Sequence, residues 1–396
     1  MFLFRRIIKT GLLFALMILL SAPAAAEKAQ EGSEITGLCR ITSTGIRKEW
    51  AKALDRNYKT LWGKYDDRRA VISIELPEGT REGGLYLCFS TEPEGLELYG
   101  GEDETPFFVR QGEGYPHLYI PFEGRESLRL ELWGSKETGF SLSEFFVTSG
   151  QEPPAWVQRW EPQLERADLL VLVAHPDDEL LWMGGAIPYY SVERKMDVAV
   201  AYMTCASALR RSEMLNGLWT AGIRHYPYIG GFSDRAMSGM MANYSIWGGK
   251  ETVEEYVVSL YRKLRPQVVL SHDLRGEYGH PAHIMTARAA KTALDSAADS
   301  GRFTQSASQY GAWDVPKLYL HLYAENTIDM DWQRPLASLD GATSLDTSRA
   351  AFDRHRSQRA KFSVEVEGRH SAARFGLVRS LVGDDEYKND FFENIR

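Results

Sequence analysis

Two short stretches of the chain combine imidazoles with carboxylates. His175-Pro-Asp-Asp-Glu179 sets one histidine beside three acids. His272-Asp-Leu-Arg-Gly-Glu-Tyr-Gly-His-Pro-Ala-His283 gathers three of the nine histidines within a dozen residues. Imidazole with carboxylate is a zinc-type ligand set, and three protein ligands leave one position for water. An adjacent acid that does not bind the ion is then free to act as general base. The first stretch alone reads as a strand-to-helix turn with acidic capping, because Pro176 suits a first helical position and acids favour a helix N-terminus. Any single histidine reads as a hydrogen-bonded polar side chain, and His117, His225, His355 and His370 are taken so. Two such clusters, each directly after an apolar run, point instead to a metal site.

Those apolar runs are the elements that must position the clusters. Asp168-Leu-Leu-Val-Leu-Val-Ala174 ends in the first cluster and Gln267-Val-Val-Leu-Ser271 in the second. Further strands are expected at Met196–Met203, Tyr226–Ile229 and Lys317–Tyr323. Helices are expected over about 177–193, 209–221, 251–264 and 282–298. Apolar strands alternating with helices predict an α/β fold, a doubly wound, mostly parallel (Rossmann-like) sheet. Ligands of such sheets bind outside the carboxyl ends of the strands. Ahead of it, Ala70–Leu76, Gly84–Ser90, His117–Phe122, Leu128–Trp133 and Phe145–Val147 alternate with period two between turns, which predicts an all-β sandwich or jelly roll. The expected division is residues 27–150 for the β-domain, 151–166 for a linker and 167–396 for the α/β domain.

The composition of the 396 residues, 44% hydrophobic and 25% charged, excludes a collagen-like or mainly disordered chain. A net charge of −8 without a basic run offers no footprint for nucleic acid or an anionic membrane surface. Residues 1–26 read as an export signal: Arg5, Arg6 and Lys9 precede the apolar run Gly11–Leu20 and the small residues Ala24-Ala25-Ala26. That run is about half the ~20 residues of a membrane span, so no stable span is expected after cleavage. The mature protein is then periplasmic or secreted. Export permits Cys39 and Cys88 to pair as a disulfide, with Cys205 an ordinary buried thiol. No Gly-x-Ser-x-Gly elbow is present, and the turn after the first apolar strand lacks dinucleotide-binding glycines.

Two resemblances add to this. Leu54-Asp-Arg-Asn-Tyr-Lys-Thr-Leu-Trp62, Ile72–Leu76 and Leu142–Val147 resemble the discoidin (F5/8 type C, galactose-binding-like) domains, many of which bind sugars. Ala174-His-Pro-Asp-Asp-Glu179 followed by Gly279-His-Pro-Ala-His283 resembles the PIG-L/LmbE-like deacetylases. That family removes acetyl from N-acetylglucosaminyl groups with one divalent metal, usually Zn2+. The resemblance implies His175, Asp178 and His283 as metal ligands, Asp177 as general base and His280 as the second catalytic group. It implies Tyr278 near the acyl oxygen, and Arg210 and Asp234 as contacts to the sugar. Arg210 with Glu213 also reads as a helical ion pair, and Asp234 as a loop stabiliser. Many members carry Asp where Ala282 stands, so His280 lacks its usual partner and Asp273 is the substitute considered. The implied activity is zinc-dependent N-deacetylation of an N-acetylated glycan or glycoconjugate. A metal amidase for a non-sugar acyl-amide, and a carbohydrate-binding protein with a silent catalytic domain, are the alternatives. Trp182, Tyr189, Tyr190, Trp219, Tyr244 and Trp247 are the aromatic residues around the site, with Trp182 and Trp219 favoured as core.

Overall fold

The computed structural model describes residues 32–44, 49–64, 69–112, 114–235 and 239–395. The expected export signal lies outside them. The first ten strands are β1 (Ser33–Glu34), β2 (Arg40–Thr44), β3 (Trp62–Lys64), β4 (Ala70–Glu75), β5 (Glu82–Thr91), β6 (Gly95–Gly100), β7 (Phe108–Gln111), β8 (His117–Glu123), β9 (Ser127–Trp133) and β10 (Gly139–Ser149). They form two antiparallel sheets, ordered β1-β10-β5-β8 with β3 also on β10, and β2-β4-β9-β6-β7. One apolar core, including Ile72, Leu87, Leu130 and Phe145, fills the space between them. The period-two pattern survives in β4 and β9, where every second residue is buried. It fails in β5 and β10, which are buried almost throughout. The reason is a second layer: Val157 and Trp156 pack on the outer residues Tyr86 and Phe146. Within the stretch expected as a linker, Pro154, Val157, Gln158 and Trp160 are buried, Trp160 against Trp219, while most of its other residues are exposed.

The second part is one seven-stranded mixed sheet. Its strands are β11 (Leu169–Val173), β12 (Val198–Thr204), β13 (Tyr228–Phe232), β14 (Val268–Ser271), β15 (Lys317–His321), β16 (Thr327–Asp329) and β17 (Arg374–Ser380). The order is β13-β12-β11-β14-β15-β17-β16. The pairings from β13 to β15 are parallel, and β17 runs antiparallel to both β15 and β16. Every residue of β11, β12, β14 and β15 is buried, as strands covered on both faces require. The chain leaves β11 toward β12 and later returns on its other side as β14. Direction reverses there, so the carboxyl ends of β11 and β14 flank a crevice, the place where open α/β sheets bind ligands.

Helices Ala208–Thr220, Lys250–Leu264 and Pro281–Ala298 lie close to their expected bounds. The helix expected over 177–193 does not form as one piece. It is split into Asp178–Leu181, Ala186–Pro188 and a wider-wound turn at Tyr189–Glu193. Gly184, at φ +54°, causes the break: a Cβ there would sit 2.5 Å from the Ala372 carbonyl oxygen. The Cys39–Cys88 disulfide does not form either, and all three cysteines are free. Cys39 packs on the core between the sheets, whereas Cys88 lies in the cluster on the outer face of β5. Among the described residues no helix is long and apolar enough to cross a membrane.

Beside Cys88, the buried His117 shares its Nδ1 with the Tyr86 hydroxyl at 2.5 Å. Burial, with Arg211 nearby, pushes His117 down to about 3 from an ordinary 6.5. The folded chain thus refuses a proton that the unfolded chain accepts below pH 6.5. Stability from this group is full above that pH and is lost as pH falls toward 3. Between pH 7 and 5 the loss is about 2 kcal/mol. His117→Gln should lose correspondingly less over that interval in urea unfolding; equal losses would refute the assignment.

Candidate metal centre

His175 follows β11 by two residues, and His272 directly follows β14. The loop from His272 turns back through Gly276, whose positive φ of 68° and closeness to the His280 carbonyl leave no room for a side chain. His280 then caps the helix Pro281–Ala298, with the proline at its first position. His283 is the third residue of that helix, so its ring is carried back over the ends of both strands.

Three side-chain atoms meet there. His175 Nδ1 lies 3.1 Å from Asp178 Oδ2. His283 Nε2 lies 3.3 Å from His175 Nδ1 and 3.3 Å from Asp178 Oδ2. Ligands at bond length around a tetrahedral zinc stand roughly 3.3–3.4 Å apart, so this triangle has the dimensions of one tetrahedral face. Asp178 Oδ1 is oriented by the Trp182 indole N–H at 2.9 Å, and Oδ2 also accepts the His175 backbone N–H at 2.8 Å.

The donor set is fixed from behind by Glu277, which is fully buried. Its Oε2 accepts from His272 Nδ1 at 2.8 Å and from His283 Nδ1 at 2.7 Å. Its Oε1 accepts from His321 Nδ1 at 2.7 Å and from the Asp273 backbone N–H at 3.1 Å. With its Nδ1 proton committed to Glu277, His283 turns Nε2 toward Asp178 and His175, where a cation can take the place of the ring's second proton. This is the carboxylate–histidine support that metal-binding imidazoles use. Burial by itself would lower His283, but Asp178 and Glu277 outweigh it and push the ring up to about 10. Burial would likewise raise Glu277 and Asp178, yet the surrounding imidazoles hold both well below the usual carboxylate range. The pocket therefore favours positive charge at its centre.

Two other histidines come close enough to count as ligands, His272 with Asp178 and His283, and His280 with His175 and His283. His272 is excluded chemically: its Nε2 accepts the Ala174 backbone N–H at 2.9 Å, which uses the lone pair. His280 stands with its ring 4.7 Å from that of His175 and 4.6 Å from that of His283, centre to centre. Burial, then the neighbouring His283 and His175, push it down to about 3, so it is neutral. Its Nδ1 is buried without a partner. Asp273 does not replace the acid missing at Ala282: it leaves His280 Nδ1 without a partner and accepts the Arg275 backbone N–H at 3.0 Å instead.

Asp177 lies beside the triangle. Its backbone takes φ 112°, a strained conformation for a residue with a side chain, and its N–H donates to Glu179 Oε2 at 2.9 Å. Burial, then the charge of Asp178, push its carboxyl up to about 7. Arg210 Nη2 donates to Asp177 Oδ2 at 2.9 Å and also to the Pro176 carbonyl. The other arm of that guanidinium reaches Ser357 Oγ at 3.3 Å and Glu213 Oε2 at 3.4 Å. Arg210 thus holds the acid and forms the helical ion pair at once. Asp234 Oδ1 is 3.7 Å from His175 Nε2, on the side of the ring away from the triangle. Tyr278 is 52% exposed, with its ring 5.6 Å from His283 and stacked on Phe362 at 5.9 Å. Of the aromatic residues named around the site, Tyr190, Tyr244 and Trp247 are buried in the apolar cores. Trp182 is both core and support, since its indole holds Asp178.

Glu277, His321 and Ser357 join the site beyond the residues that the sequence singles out. For Glu277 a signal was present, an acid between two histidines of one cluster. For His321 and Ser357 no local pattern marks them; the fold brings them in from β15 and a distant loop.

The chain has relatives of known name. Residues 170–294 match the family described as "PIG-L: GlcNAc-PI de-N-acetylase". A 1D-myo-inositol 2-acetamido-2-deoxy-alpha-D-glucopyranoside deacetylase of Catenulispora acidiphila is 29% identical over 211 residues, 46% of this chain and 61% of the relative. A deacetylase of the same name from Geodermatophilus obscurus is 26% identical, covering 56% of this chain and 90% of the relative. Among solved structures, the N,N'-diacetylchitobiose deacetylase of Pyrococcus horikoshii is similar at 20% identity and a TM-score of 0.38, over 48% of this chain and 71% of that one.

Glu277→Gln keeps the volume but can no longer accept from three imidazoles. It should weaken zinc binding about 10–100-fold in competition with a fluorescent chelator. His283→Ala should abolish tight binding. Unchanged affinity in Glu277→Gln would contradict the supporting role.

Proposed function

We propose that this protein is an exported, zinc-dependent hydrolase that removes the N-acetyl group from an N-acetylated amino sugar in a glycan or glycoconjugate. The observation that carries the reading is the close triangle of His175 Nδ1, Asp178 Oδ2 and His283 Nε2 with the Asp177 carboxyl beside it. The matched family and the named deacetylase relatives support the acetamido-sugar class. His175, Asp178 and His283 would hold the ion, and a divalent ion there supplies Lewis acidity toward water and carbonyl.

The chain's own groups carry the proton traffic. Asp177, held by Arg210, accepts a proton from the water that attacks the amide carbon. The C–N bond then breaks, releasing acetate and the free amine. The amine leaves only after gaining a proton, which His280 is placed to deliver once protonated. Tyr278 lies at the rim, where its hydroxyl meets the acyl oxygen. Arg210 and Asp234 complete the proposed sugar side of the site. The proposal extends to residues 27–150 as a discoidin-like, sugar-binding module and to residues 1–26 as the signal that sends the protein to the periplasm or outside.

Acetate and free amine released from chitooligosaccharides, with and without a chelator, test the reading. Asp177→Asn should lower the rate about 10²–10⁴-fold while zinc stays bound. Release from simple acetamides alone would favour a non-sugar amidase. Zinc binding with no hydrolysis of any substrate would favour a silent, carbohydrate-binding protein.

A further inference from the structure

A large cavity among the described residues shares Glu213 and Ser357 with the anchor of Arg210 but none of the residues of the metal triangle. It measures about 850 Å³ and opens where the β-sheets meet the α/β part. Its walls are the turn at Asn57–Lys59, the stretch at Ala155–Gln158, the helix Ala208–Thr220 and the loop at Arg354–Ser357. Neither the metal ligands nor Asp177 line it.

Its charge is unusual for this chain. Lys59, Arg224, Arg354 and Arg356 all line the cavity, in a protein whose net charge is −8. The acid in the wall, Glu213, is already engaged: it accepts the Ser357 backbone N–H at 2.8 Å and hydroxyl at 2.6 Å, and it pairs with Arg210. Arg224 donates only to the Trp219 and Ile223 carbonyls, both at 2.9 Å, and lies over the Trp219 ring. No ion pair neutralises any of the four among the described residues. Like charges gathered around one concavity repel one another and raise the local concentration of anions.

The remaining lining narrows the chemistry. Trp156, 41% exposed, and the amide of Asn57 line the cavity, while the amides of Gln158 and Asn216 are hydrogen-bonded to each other at 2.5 Å. Aromatic surface beside an amide and cations suits a ring that bears hydroxyls and a carboxylate. The cations come from three separate segments, so they match anionic groups spread along a chain. The volume falls in the range of small-molecule sites, about 300–1,000 Å³. We infer that this junction cavity is a binding site for a short anionic oligosaccharide, one whose sugar units carry carboxylates. The inference stands apart from the deacetylation reading, since none of its key residues touches the metal centre.

The test is calorimetric titration of the full-length protein with tetragalacturonate, with neutral maltotetraose as control. Lys59, Arg354 and Arg356 are exposed, so Lys59→Ala/Arg354→Ala/Arg356→Ala should melt like the parent. The parent should bind tetragalacturonate saturably and at least tenfold more tightly than maltotetraose, and the triple variant should lose at least tenfold. Absence of saturable binding, equal binding of the neutral sugar, or an unaffected variant would each overturn the proposal. So would inorganic sulfate displacing tetragalacturonate at equal concentration, because isolated anions would then suffice.

Discussion

A single buried carboxylate organises this protein. Glu277 accepts hydrogen bonds from three imidazoles and one backbone amide, with no exposure to solvent. An isolated charge in such a place would be very costly. It persists because every lone pair it can offer has a donor, and because His283 beside it favours positive charge. The three rings come from β14's end, the helix Pro281–Ala298 and β15, so one acid ties together three elements around the crevice. Its chemical consequence is directional: it sets which nitrogen of His283 carries the proton and which faces the ligand triangle.

A second set of contacts works on the other side of the triangle. Trp182 fixes Asp178, and Arg210 fixes Asp177 while anchored in turn by Glu213 and Ser357. Two adjacent aspartates therefore meet different surroundings. Asp178 faces imidazoles and an indole N–H and is held ionised. Asp177 is buried next to a like charge, against one guanidinium, and is pushed up to about 7. Neighbouring carboxylates with separated proton affinities are the usual basis for dividing roles between ligand and base. The strained backbone at Asp177 is the local cost of aiming both side chains from consecutive positions.

Much of this architecture was legible in the residues. The apolar runs that became β11 and β14 needed no context, because strands buried on both faces are apolar throughout. Their adjacency was not explicit, yet clusters after two parallel strands of one sheet lie on the same edge by necessity. The helix break at Gly184 was missed because its cause is tertiary: Ala372 and Trp332 press on the turn. The buried outer faces of β5 and β10 were missed for the same reason, as the covering layer comes from Trp156 and Val157. At the site, the histidines and aspartates announced themselves by crowding, while His321 and Ser357 come from segments with no chemical signature of their own. Glu277 stood in plain view, but a carboxylate's burial cannot be read from its neighbours in sequence.

The proposed centre has His175, Asp178 and His283 holding one cation while Glu277 supports His283 from outside the coordination sphere. The most direct measurement is the structure of the zinc-loaded protein with anomalous scattering at the zinc edge. One zinc is expected on His175 Nδ1, Asp178 Oδ2 and His283 Nε2 at about 2.0–2.2 Å, with Glu277 bound to no metal. Zinc held instead through His272 or Glu277, or no zinc between the two strand ends, would contradict it.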